Sequence, residues 1–223
     1  MKPDADRLNL WLMLALTFST GIVDAVGYLG LDRVFTGNMT GNVVILGMAL
    51  TGADDLPVVG PILALAGFMG GAAVGGRVLK TADAGWTHRA TTLLGGVGVV
   101  VLALAIAVFT AGDHPAHPLA LTVTTLLGFA MGAQAATARH IAVKDVTTVV
   151  VTSTITGLAA DSVLGAAKPG HTSRRFWAVL LIGAGAAVGA LLLQWHLGAG
   201  MALAAVVCLA VAAIGAVVHP RVA

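Results

Sequence analysis

The sequence predicts an all-α integral membrane protein with six transmembrane helices plus two re-entrant half-helix segments, arranged as a 3+3 inverted-topology repeat within one domain, 1–223. Three observations predict it. The chain is too apolar to face water, six of its apolar runs have bilayer length, and its basic residues and local motifs recur in the way an inverted duplication requires.

Hydrophobic residues make up 58% of the chain and charged residues only 10%, and the mean hydropathy is +0.95. A soluble domain carries about 25% charged residues, because its outside must be hydrated. With so few charges the outer surface of this chain must be lipid. Its 29 glycines fit helices that approach closely in a bilayer. The net charge of +2 and the pI near 9.0 do not indicate nucleic acid, because the basic residues sit singly in short loops and form no cluster. Cys208 stands alone in an apolar run, which excludes a disulfide framework and a cysteine metal site.

The elements follow from run length, since roughly 20 apolar residues cross a bilayer. The first run, 8–31, is long enough to span. No small-x-small cleavage pattern ends it, so it reads as a retained helix and not a signal peptide. Next comes a short run, 35–50 (FTGNMTGNVVILGMAL), that carries hydroxyls and amides. Full-length runs at 58–79 and 90–111 complete the first half. The second half keeps the order: a span at 118–138, a short hydroxyl-rich run at 146–160 (VTTVVVTSTITGLAA), and spans at 176–194 and 199–218. Trp11, Trp86, Trp177 and Trp195 fall near span ends, as an aromatic belt does.

Charge decides whether the short runs cross. If both cross, there are eight spans. Lys2, Arg7, Lys168, Arg174, Arg175 and Arg221 then oppose Arg33, Arg77, Lys80, Arg89, Arg139 and Lys144, six against six. If both dip in and return on the same side, there are six spans, and every basic residue except Arg33 shares one face, eleven against one. Cytoplasmic loops concentrate Lys and Arg, so six spans with both termini cytoplasmic is the reading.

Three local matches in order give the repeat. GIVDA at 21–25 resembles GAQAA at 132–136, 111 positions on. MTGN at 39–42 resembles VTST at 151–154, 112 positions on. GAAVG at 71–75 recurs identically at 185–189, 114 positions on. Repeat 1 (about 8–111) and repeat 2 (about 118–218) each hold three spans, an odd number, so the second copy enters the membrane inverted. Many secondary transporters are built this way.

Polar residues at membrane depth are the candidate site. Asp24 lies close to the end of the first span, still at hydrocarbon depth, where a carboxylate costs roughly 2.5–3.5 kcal/mol unless it lines a cavity or finds a partner. It is either a proton- or cation-binding group on a path or a structural carboxylate bonded to another helix. Asn38, Thr40 and Asn42, with Thr36, meet Thr152, Ser153 and Thr154 as repeat mates. Their side chains either coordinate a small solute or cap half-helices, whose free N–H groups favour anions. Gln134 occupies the second-repeat position nearest Asp24 and either answers that carboxylate or bonds a backbone carbonyl. Small residues every fourth position, Gly67-Gly71-Gly75, Gly128-Gly132 and Gly185-Gly189, form ridges for internal helix packing or a homodimer contact.

The stretch GIVDAVGYLGLDRVFTGNMTGNVVILG, 21–47, resembles the signature of the YoaK family of bacterial membrane proteins, a family defined by sequence and without an assigned function. GAQAATARHIAVKDVTTVVVTSTITGL is similar to that family's other recurring segment, and the resemblance covers essentially the whole chain. One departure is Ala135, where the family commonly carries an amide. The resemblance implies a multi-pass protein of the bacterial inner membrane and supplies no substrate.

The function these residues suggest is a small-solute or ion transporter with a central polar site between the re-entrant segments. A non-transporting scaffold explains the glycine ridges but not the polar motifs at depth. An intramembrane enzyme needs a nucleophile–base or metal constellation, which the sequence lacks, so no enzymatic activity is expected. No P-loop, Gly-x-Ser-x-Gly elbow or His metal pattern occurs, and no cofactor is expected. The expected partners are the lipid bilayer and a small solute or ion.

Overall fold

A computed structural model describes residues 3–113, 115–143, 151–162, 165–166 and 172–219. Every regular element among them is helical: α1 (Pro3–Gly30), α2 (Met39–Ala49), a 3-10 turn (Ala53–Asp55), α3 (Val59–Leu79), α4 (His88–Ala111), α5 (His117–Ile141), α6 (Val151–Ala160), α7 (Thr172–Leu193) and α8 (Leu197–Val218). Six of these, α1, α3, α4, α5, α7 and α8, are long and apolar enough to cross a membrane. The six spans expected from run length are therefore all helices. α2 and α6 have 11 and 10 residues. At about 1.5 Å per residue each reaches only about half of a roughly 30 Å hydrocarbon core. The first part of the expected short run, 146–150, lies outside the described residues.

Local chemistry sets the helix ends. The Thr87 hydroxyl accepts from the Ala90 N–H at 3.2 Å and starts α4; His196 Nδ1 accepts from Gly198 N–H at 2.9 Å and starts α8. Pro118 occupies the first turn of α5, where its missing N–H costs nothing. Gly112, at φ 88°, ends α4 in a conformation that favours glycine.

Helix directions follow from residues that meet. α1 and α7 run parallel, because Phe18 lies against Gly185 and Ile22 against Gly189. α3 and α5 also run parallel, with Thr125 against Gly67 and Phe129 against Gly71. α8 runs antiparallel to both α1 and α4. Asn9 accepts from His219 and Ser19 donates to the Ala204 carbonyl, while Gly98 meets Leu209 and Gly198 meets Phe109. α1, α4 and α7 therefore point one way and α3, α5 and α8 the other. The connection 31–58 leaves α1 and enters α3 at the same end of the bundle, where Asp32 and Val34 touch Gly60. The connection from α5 to α7 likewise starts and finishes at one end, where Arg174 lines a crevice with Ile141 and Val143.

This arrangement gathers the basic residues at one end. Arg7, Arg77, Lys80, Arg89, Arg139, Arg174 and Arg175 all sit at the end where α1 begins. The opposite end holds Arg33 with Asp32, Asp54, Asp55 and Asp113. Lys2, Lys144, Lys168 and Arg221 lie outside the described residues. At the basic end His219 stacks on Trp86, with ring centroids 5.7 Å apart, and its Nε2 sits 3.0 Å from Asn9 Oδ1. Burial lowers the His219 imidazole below its ordinary value.

α1 is the central helix, with 78% of its apolar stretch buried against 17% for α7. The largest interfaces are α3 with α5, α1 with α7 and α4 with α8. Glycine makes the first two possible. A Cβ on Gly71 would strike the Phe129 carbonyl oxygen, and one on Gly185 the Phe18 carbonyl oxygen. Gly132 meets the Phe68 carbonyl and Gly21 the Ile182 carbonyl in the same manner. Such backbone contact accumulates dispersion energy without any hydrophobic force between helices in lipid. It also places the glycine ridges inside the chain, so a homodimer would need a different surface.

Gly71→Val and Gly185→Val should each overpack a helix pair and destabilise the protein by about 1–3 kcal/mol. Gly76, on the same helix as Gly71, has nothing within 4 Å of a Cβ. Gly76→Val should leave the melting point in detergent within about a degree of wild type. Equal losses at positions 71 and 76 would show that the close approach does not matter.

Candidate functional site

Along α1, Thr20, Asp24 and Tyr28 recur every fourth residue and share one face. Asp24 is nine-tenths buried and uses one oxygen as a staple. Its Oδ1 accepts from the Thr36 N–H at 2.9 Å and the Gly37 N–H at 2.6 Å, with the Thr36 hydroxyl at 3.5 Å. The stretch 33–38 is not helical, so those N–H groups have no partner within a helix. A carboxylate satisfies them in strong charge-assisted bonds.

Asn42 holds the same stretch from the other side. Phe35 N–H donates to Asn42 Oδ1 at 2.8 Å, and Asn42 Nδ2 donates to the Phe35 carbonyl at 2.6 Å. Asn38 Oδ1 accepts from the Gly41 N–H at 3.2 Å and caps α2. Phe35 stacks on Tyr28 with ring centroids 4.9 Å apart. Gly37 is required here, because a side chain would collide with Thr20 and crowd the Asp24 carboxylate.

These residues form one wall of a cavity of about 750 Å³. Its lining takes Thr20, Asp24 and Tyr28 from α1, Phe35, Gly37 and Asn38 from the connection, and Thr40, Gly41, Val44 and Ile45 from α2. Val151 and Thr152 of α6 and Ile182 of α7 close it. α2 and α6 thus begin at the same cavity and run apart: α2 leads to the acidic end, and α6 leads to the basic end, where Arg175 meets Gly157 and Asp161. No Lys, Arg or His among the described residues lines the cavity. Among the described residues no cation pairs with Asp24.

Of the residues singled out in the sequence, Asp24, Asn38, Thr40 and Thr152 line the cavity. Asn42 lies behind the wall, fully buried, and shapes it. Gln134 is also fully buried, one layer away: its Nε2 donates to Thr20 Oγ1 at 3.1 Å, and its Oε1 lies 3.4 Å from Cys208 Sγ. It braces Thr20 and makes no contact with Asp24. Ser153 is exposed and Thr154 buried, and neither lines the cavity. Thr20, Tyr28 and Phe35 are wall residues that sequence reasoning missed. The four-residue spacing from Asp24 was the signal for the first two. Among the described residues no three His, Cys, Asp or Glu side chains gather in a way that could hold a metal.

The two asparagines should differ in cost. Asn42→Ala leaves a buried side-chain site empty and strips partners from the part-buried N–H and C=O of Phe35, which costs about 2 kcal/mol. Asn38→Ala removes one exposed cap, worth about 1 kcal/mol. Thermal unfolding in detergent should therefore rank Asn42→Ala well below Asn38→Ala, and the reverse order would refute the buried-staple role.

Comparison with known proteins places the chain in a family. The profile of the family described as "Protein of unknown function (DUF1275)" matches residues 12–214. The chain is 32% identical over 162 residues to the "UPF0700 transmembrane protein YoaK" of Bacillus subtilis (strain 168), covering 72% of this chain and 69% of that relative. No solved structure matches the chain. With a match across nearly all its spans and this identity to a named member, the chain belongs to the YoaK family of multi-pass transmembrane proteins, to which no function is assigned.

Proposed function

We propose that this protein carries a small cationic solute or a proton across the membrane through the cavity at Asp24. The observation that supports this most directly is a carboxylate with no counter-cation among the described residues, on the wall of a cavity of about 750 Å³. That volume is within the roughly 300–1,000 Å³ typical of small-molecule sites. The connection's N–H groups at Thr36 and Gly37 already point at Asp24, so they are not open to an anion. Beside the aliphatic Val44, Ile45, Val151 and Ile182, the lining offers threonine hydroxyls, the Asn38 amide and the Tyr28–Phe35 aromatic pair, all compatible with a cation.

In this reading the chain is a 3+3 inverted repeat, with α2 and α6 re-entering the bilayer from opposite faces. Several reciprocal contacts support it. Gly71 meets Phe129 as Gly185 meets Phe18, and Gly132 meets Phe68 and Ala72 as Gly21 meets Ile182 and Ala186. The offsets, 111 for α1 to α5 and 114 for α3 to α7, are those of the sequence motifs. α1 and α5 point in opposite directions, as inversion requires. Thr40 and Thr152, the expected mates, line one cavity. Inverted-repeat carriers bind cargo between their halves near the bilayer midplane. The basic end is cytoplasmic under the positive-inside rule, which puts both termini inside a bacterial inner membrane.

Asp24→Asn separates charge from architecture, because an amide oxygen still accepts from Thr36 and Gly37. Reconstituted flux of organic-cation probes and of protons should fall at least tenfold in Asp24→Asn, while the melting point stays within a few degrees of wild type. Unchanged flux would make Asp24 a staple only, as in a non-transporting scaffold. Orientation has its own check, by single-cysteine labelling in a Cys208→Ala background. Cysteines at 84, 142 and 166 should all react from the cytoplasmic side, and labelling of 84 and 166 from opposite sides would restore an eight-span topology.

A further inference from the structure

A second cavity, of about 560 Å³, lies between the first turns of α1 and α7 at the basic end. α1 contributes Asp6, Arg7, Leu10, Trp11 and Leu14, and α7 contributes Ser173, Arg174 and Trp177. We infer that this cavity is a binding site for one anionic phospholipid, whose headgroup phosphate is held between Arg7 and Arg174. It is separate from the Asp24 cavity and independent of any transport role.

The chemistry is graded along the helix axis. Arg7, Trp11 and Leu14 lie on one face of α1 at helical spacing and descend over about 10 Å at 1.5 Å per residue. Arg174 and Trp177 descend along α7 in parallel with them. A phospholipid has the same order: charged phosphate, then glycerol and ester groups, then acyl chain. Trp11 is 54% exposed and Trp177 44% exposed, so their rings stand open to the membrane interface. Amphipathic indole rings prefer that depth.

The two arginines are available. Neither Arg7 nor Arg174 has a hydrogen bond or ion pair among the described residues. The neighbouring Arg175 is occupied by Asp161 at 2.6 Å and by the Gly157 carbonyl. Asp6 also lines the cavity, leaving it one positive charge in excess. The Ser173 hydroxyl adds a donor beside the two guanidiniums. Guanidinium groups bind phosphate oxygens in pairs, and basic pockets between membrane helices hold anionic headgroups.

Native mass spectrometry of the full chain, titrated with phosphatidylglycerol or phosphatidylcholine, tests this directly. Wild type should retain one phosphatidylglycerol in clear preference to phosphatidylcholine. Arg7→Gln/Arg174→Gln should bind phosphatidylglycerol about tenfold more weakly, as expected for two interfacial charges worth about a factor of several each. Arg77→Gln/Lys80→Gln removes as much charge from the same end, outside the cavity, and should bind as wild type does. Equal loss in both double variants would mean a diffuse surface potential and overturn the site. Thermal stabilisation of wild type by inorganic phosphate equal to that by phosphatidylglycerol would mean a free-phosphate site and overturn the lipid assignment. If the arginine variant does not fold, the wild-type preference decides alone, and equal retention of the two lipids refutes the proposal.

Discussion

Backbone without a helix cannot stand in hydrocarbon unless something inside the protein hydrogen-bonds it. The stretch 33–38 lies beside a helix of spanning length, and everything around the candidate site follows from how that stretch is satisfied. Asp24 takes two of its N–H groups on one oxygen, and Asn42 takes both polar groups of Phe35. With those bonds made, the chain can turn back, start α2 at the cavity and expose the ring of Phe35 beside Tyr28. A carboxylate expensive to bury is thereby kept by the backbone it organises. The same carboxylate still borders the cavity, and that leaves chemistry to spare at the wall.

The frame that holds this stretch is steric. Leu and Val supply lipid solubility but little specificity, because lipid tails are as apolar as they are. Specificity comes from carbonyl oxygens of Phe18, Ile182, Phe68 and Phe129 pressed onto positions that tolerate no Cβ. Those contacts fix α7 against α1 and α3 against α5, and so set the register of Ile182 opposite Thr20 and Asp24. Polar bonds deep in the bundle then refine it. Gln134 ties α5 to Thr20 of α1 and to Cys208 of α8, joining three helices at one buried amide.

Much of this was legible in the residues. The six spans are visible as apolar runs because a bilayer imposes a length, and α2 and α6 are visible as runs too short to obey it. The glycine ridges are visible because small residues at every fourth position have few other uses in lipid. Asp24 stood out through cost alone. What sequence could not supply was rotation. Asn42 and Gln134 are as polar as Asn38 and Thr40, yet they face protein while the others face the cavity, and that depends on helix azimuths set by distant packing. Thr20 and Tyr28 escaped notice because a hydroxyl or phenol in a span is cheap, so neither carries a signal of its own. Arg7 and Arg174 read as topology markers, since nothing linear brings position 7 beside position 174.

The pairing of helices bears on how the chain is made. Two of the three largest interfaces join an early helix to a late one: α1 waits for α7 and α8, and α4 waits for α8. Until α7 and α8 have been made, Gly21 lacks the Ile182 carbonyl and Gly98 lacks the Leu209 side chain that cover them. Assembly therefore cannot proceed helix by helix in order of synthesis. A chain interrupted before α7 would leave its central helix, the bearer of Asp24, without its largest packing partner.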